Sequence, residues 1–143
     1  MLEQHFIIRD KRLDGKLSSY ANGITSTLGA GISLRTAFAQ ITTNTMLYGK
    51  LKSLFILAHG RGSGWGTTYD FWWRGGTGVH VGMEGLNSGN VDQWVLIRGM
   101  VESMVVYACG AAYSGPPSPA ANDNSHDGLG LMKELAKQTN AIV

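Results

Sequence analysis

Two apolar runs constrain this chain more than any other feature. Leu51–Ala58 and Val101–Ala108 are each near-continuously apolar and of strand length. Runs of that kind suit strands covered on both faces, the usual setting of a parallel sheet. Each ends in a side chain able to do chemistry, followed by glycine: His59-Gly60 after the first, Cys109-Gly110 after the second. Parallel neighbours need a long crossover between them, and the residues between the runs are numerous enough to supply one. The expectation is that the two runs are adjacent parallel strands whose exits share one sheet edge.

The remaining segments fit around that pair. Phe6-Ile7-Ile8 reads as a strand ended by the polar turn Arg9-Asp10-Lys11-Arg12. Ser18 to about Thr27 mixes small and polar residues and reads as a short helix or a loop. Ser33 is a helix N-cap, with Leu34, Ala37, Phe38, Ile41 and Thr45 at helical spacing behind it. An amphipathic helix is therefore expected over Ser33–Tyr48, stopped by Gly49. Phe71-Trp72-Trp73 and Val79-His80-Val81 read as strand pieces about a Gly75-Gly76 turn. Asn90 caps a helix running to Ile97, and a further helix spans Gly130–Thr139. All three prolines, Pro116, Pro117 and Pro119, fall in Ser114–Asp127, a mobile loop by composition. Ala141-Ile142-Val143 starts another strand, so the natural chain is expected to continue. Strands alternating with helices imply an α/β fold, a three-layer sandwich with a mainly parallel sheet. A length of 143 residues fits one domain, residues 1–143.

Composition removes several function classes. One cysteine excludes an intramolecular disulfide and any cysteine-built metal cage, and with no signal peptide it fits a reducing cytoplasm. The net charge of +2 divides into +4 over residues 1–52 and −2 over the rest, too sparse a basic footprint for nucleic acid. The longest early uncharged stretch, Leu17 to Leu34, is rich in Ser, Thr, Asn and Gly and cannot cross a membrane. Gly60–Gly66 matches neither common phosphate-binding glycine pattern. A metal held by His59, His80 and Cys109 has no supporting ligand spacing.

Cysteine attacks as thiolate, and its unperturbed pKa near 8.5 leaves little thiolate at neutral pH. A neighbouring histidine supplies the base or the ion-pair partner. His59 and Cys109 are the candidate pair, with the N–H groups of Gly60 and Cys109 as donors to an oxyanion. The bland reading of a lone cysteine is a small buried hydrophobe. His80 and His126 read as an ordinary strand residue and a solvated loop residue. Trp65, Trp72 and Trp73 line a substrate groove or cover the open end of a small sheet. A nucleophile elbow wants a small residue where Tyr107 stands, which disfavours that alternative.

A strand ending in His59-Gly60, about fifty residues, then a strand ending in Ala108-Cys109-Gly110, resembles the caspase–hemoglobinase-type cysteine peptidases. The wider frame from Leu57 through Val81–Leu86, Val106–Gly110 and Gly128–Gly130 to Leu135-Ala136 is similar to bacterial domains of that superfamily, over roughly Leu51 to Val143. The resemblance implies a caspase-like fold and hydrolysis of a peptide or protein substrate by Cys109 with His59, without cofactor. Tyr107 stands where caspases carry glutamine, and the Arg-Gly that follows their cysteine is absent. The alternative is an inactive caspase-like domain that binds a protein partner through the same cleft or its tryptophan-rich rim.

Overall fold

The computed structural model describes residues 4–13, 23–61, 78–108 and 128–143. Four strands form the main sheet: β1 (His5–Asp10), β2 (Gly23–Leu28), β3 (Leu51–Leu57) and β6 (Val101–Tyr107), in the order β2-β1-β3-β6. Every pairing in it is parallel. β4 (His59–Arg61) and β5 (Gly78–His80) make a small antiparallel ribbon beside it. Helix α1 (Leu34–Tyr48) joins β2 to β3, a 3-10 helix (Val91–Ile97) precedes β6, and α2 (Gly128–Thr139) follows it. The fold is α/β with a mainly parallel sheet.

The two apolar runs are neighbours, as expected, but they are not covered on both faces among the described residues: Ser53, Phe55 and Leu57 are half-buried and Glu102 and Tyr107 exposed. β3 and β6 pair from Leu51↔Val101 to Leu57↔Tyr107, and the Ala58 N–H donates to the Tyr107 carbonyl at 3.3 Å. Register aligns Phe6, Leu54 and Met104 in one row, and Ile8, Ile56 and Val106 in the next. Apart from the half-buried Val106, which packs against it, these rows belong to one buried cluster with Leu34, Ala37, Phe38 and Ile41 of α1, Trp94 and Ile97 of the 3-10 helix, and Leu131 and Leu135 of α2. The three described helices thus share one face of the sheet. At their centre Trp94 is fully buried and meets the Phe38 ring edge-on, centroids 4.9 Å apart.

α1 starts and stops where its sequence dictates. Ser33 is its N-cap and accepts from the Arg35 N–H, and Gly49 ends it at φ 89°. Four expectations need correction. Gly23–Leu28, read as part of a helix or loop, is strand β2. It is an edge strand whose β-branched Ile24, Thr25 and Thr27 are exposed while Ser26 and Leu28 are buried, so too few apolar residues mark it. The helix after Asn90 is 3-10, and the Asn90 side chain makes no cap bond; its Nδ2 donates instead to the Glu84 and Gly85 carbonyls. His59-Gly60 does end β3, but it also opens β4, which pairs with Gly78–His80; Phe71–Trp73, the strand expected to pair there, lies outside the described residues. α2 begins at Gly128 rather than Gly130. Ala141–Val143, expected to start a strand, contributes one isolated parallel bridge, Ile142 to Ser103 of β6. The proline-bearing segment Ser114–Asp127, like His126 within it, lies outside the described residues. Among the described residues no helix is long and apolar enough to cross a membrane.

Gly82 is committed to glycine by both conformation and space. Gly82 sits at φ +65°, and an added Cβ would stand 3.0 Å from the Ile32 carbonyl oxygen and 3.4 Å from Leu28 and Leu34 carbons. The left-handed conformation costs a side-chain-bearing residue roughly 1–2 kcal/mol by itself. Gly82→Ala should therefore lose about 2 kcal/mol or more in urea unfolding, because that carbonyl is backbone and cannot move aside cheaply. Gly99→Ala, at φ +78° with open space around it, should lose only the conformational part. Equal losses would show that the Ile32 contact is not felt.

Candidate functional site

The sheet order places a crevice at a defined point. From β1 the chain steps outward to β2, whereas from β3 it steps the other way to β6. The reversal falls between β1 and β3, and in open parallel sheets ligands bind beyond the carboxyl ends of strands at such a point. Arg9 pairs with Leu57 there, so Asp10–Arg12 and Ala58–Gly60 leave the sheet side by side. β6 exits on the other side of β3, with Tyr107 opposite Leu57.

His59 stands on that rim, exposed to solvent. Its Nε2 lies 3.1 Å from the Arg12 carbonyl oxygen, in the segment that leaves β1. A carbonyl can only accept, so this bond puts the imidazole proton on Nε2 and leaves Nδ1 as the basic nitrogen. Gly60 is the next residue, paired with Val79 in the ribbon. Val79 spends both its N–H and its carbonyl on Leu86, at 2.9 Å each. Gly60↔Val79 is therefore a non-hydrogen-bonded pair, and the Gly60 N–H points away from β5. That is the disposition an oxyanion donor needs. His80, half-buried, is the cross-strand partner of His59.

Of the residues expected from sequence, His59 and Gly60 are thus brought to the carboxyl edge next to the exit of β6. Cys109, Trp65, Trp72 and Trp73 lie outside the described residues. Tyr107 is exposed, and its ring stacks on Phe55 at 6.3 Å and 15°. Among the described residues no three His, Cys, Asp or Glu side chains are close enough to hold a metal ion.

Sequence reading missed the corner that supports His59. Asp10, at the end of β1, is fully buried. Its carboxylate accepts from the Arg12 N–H at 3.0 Å, from Arg12 Nε and Nη2 at 2.7 Å each, and from the Gly82 N–H at 2.8 Å. Arg12 Nη2 also donates to the Gly82 carbonyl at 2.9 Å. Burial alone would raise the Asp10 pKa, but the hydrogen bonds from Arg12 and Gly82 and the Arg12 charge outweigh it and hold the group below its ordinary value. The signal was present in the sequence: an aspartate at a strand end, two residues before the amide it accepts from, is an Asx turn. Glu84, two residues past Gly82, caps α1 by accepting from Ser33 Oγ at 2.8 Å and from the Leu34 N–H at 3.0 Å. A cleft of ≈ 130 Å³ opens beside this corner, lined by Arg12, Ala30, Gly82, Met83, Glu84, Gly85 and Asn87; His59 and Gly60 do not line it. A wider, mostly apolar groove of ≈ 440 Å³ lies between β2 and α1 and includes none of these residues.

No protein-family model, curated protein or solved structure matches the chain.

Proposed function

We propose that this chain is a cysteine peptidase of the caspase–hemoglobinase type. The observation that carries the reading is the in-register parallel pairing of β3 with β6. It sets the exits of the two strands side by side, and His59 and Cys109 each follow the Leu57↔Tyr107 pair by two residues. Cys109 attacks the carbonyl carbon of a peptide bond as thiolate. The Gly60 and Cys109 N–H groups receive the oxyanion. His59, with Nε2 committed to Arg12, uses Nδ1 to take the thiol proton and to give a proton to the departing amine. Water, deprotonated by the same nitrogen, then hydrolyses the thioester. This chemistry needs no metal or nucleotide. Trp65, Trp72 and Trp73 are assigned to the rim that meets the peptide, and the finer architecture to a caspase-like three-layer sandwich. A lone cysteine suits the reducing cytoplasm.

The test is the rate of Cys109 alkylation by iodoacetamide against pH. An ion pair with His59 should bring the midpoint at least about one pH unit below the free-thiol value near 8.5. His59→Ala should return it toward that value without unfolding the domain, because an exposed rim side chain packs against little. Cys109→Ser should abolish peptide hydrolysis, since a hydroxyl is far harder to deprotonate. An unshifted profile, indifferent to His59, would overturn the peptidase reading and leave the cleft as a binding surface for a protein partner.

A further inference from the structure

Resting on that reading of His59, we infer that Asp10 is its positioning residue: one buried carboxylate anchors both the carbonyl that binds the imidazole and the strand that runs beside it. His59 is exposed and lies past the end of β3, so packing does little to orient its ring. What holds it is the Arg12 carbonyl. That carbonyl belongs to the peptide unit shared with Leu13, and the N–H of the same unit donates to the Asp10 carbonyl at 3.1 Å. Arg12 itself is gripped at three nitrogens by the Asp10 carboxylate. The acceptor facing His59 is thus fixed from both sides.

The second path runs through the ribbon. Asp10 also accepts from the Gly82 N–H, and Gly82 lies two residues past His80, the cross-strand partner of His59. The corner of β1 and the ribbon therefore cannot drift apart without breaking bonds to this one carboxylate. Its consequence is chemical: holding the Arg12 carbonyl in place keeps the His59 proton on Nε2 and presents Nδ1 as the basic atom.

The experiment is a two-dimensional proton–nitrogen spectrum of the imidazole groups in the intact chain, with the His59 signal assigned by His59→Ala. In the native protein the His59 Nε2 proton should be observable and protected. Asp10→Asn should raise its exchange with water about tenfold, the size of one ordinary hydrogen bond, and let the Nδ1–H tautomer appear. Arg12→Lys keeps a cation on the carboxylate, and with it the fold, but loses the two-pronged grip; it should give a smaller rise in the same direction. Unchanged exchange and tautomer in folded Asp10→Asn, or in folded Arg12→Lys should Asp10→Asn not fold, overturns the assignment. An alkylation profile of Cys109 indifferent to His59 would instead defeat the peptidase reading while leaving this measurement intact.

Discussion

Trp94→Ala should cost about 3–5 kcal/mol in urea unfolding, the largest loss expected of any single truncation in the helical layer. Trp94 is fully buried and belongs to the one cluster that joins sheet, α1 and α2. Cutting it to a methyl group opens a cavity against Phe38, whose ring it meets edge-on. Trp94→Phe should behave differently. The indole N–H is buried and finds no acceptor among the described residues. Phenylalanine removes that donor along with some volume, so the two effects oppose and the loss should stay below about 1.5 kcal/mol. A Trp94→Phe loss well above that figure would mean that the N–H is satisfied and that its removal relieves nothing.

Asp10→Ala should cost about 3 kcal/mol at neutral pH. It leaves the Arg12 and Gly82 amides without their acceptor, though the Arg12 guanidinium is partly exposed and regains water. The same carboxylate shapes the acid limb of stability. Its folded pKa is lowered, so its contribution is complete above the unfolded value of about 3.9 and is lost as pH falls through the folded one. Asp10→Asn should therefore be less stable than the native chain at neutral pH, and the difference should shrink below about pH 4. A constant difference down to pH 2 would show that Asp10 titrates alike in both states.

Those two residues also mark where sequence reading succeeds and where it stops. The β3 and β6 runs declare themselves by their apolar content, although burial falls chiefly on one face: Leu51, Leu54 and Ile56 of β3 and Val101 and Met104 of β6 are buried, while Glu102 and Tyr107 are exposed. α1 is equally plain: Leu34, Ala37, Phe38 and Ile41 are its buried face. β2 was missed because an edge strand needs only alternate burial, and its inward positions include Ser26 as well as Leu28. For the site, local sequence places His59-Gly60 at the end of a strand. It does not reveal that Gly78–His80 pairs back on that dipeptide, or that Arg12 and Gly82, 70 positions apart, meet at one carboxylate. Those are long-range contacts made by polar atoms, and hydrophobic periodicity carries no information about them.

The pairing scheme also dictates the order in which this molecule can be made. His5 pairs with Gly23 and with Ser53, and Leu51 pairs with Val101, so no strand of the main sheet is joined to its partner by a tight turn. Closing loops of roughly fifty residues is an entropic cost met before any compensating contact forms, and topologies of this kind fold slowly. β1 is made before both of its partners, yet it sits between them in the sheet and gains its second neighbour only when β3 arrives. A two-stranded piece cannot stand alone in water, so β1 and β2 wait with Phe6 and Ile8 uncovered. A chain that stops short of Val101 leaves β3 as an unpaired, largely apolar edge, the form of strand most prone to recruit another molecule. For a nascent chain of this protein the hazardous interval therefore lies between the synthesis of Leu57 and that of Tyr107.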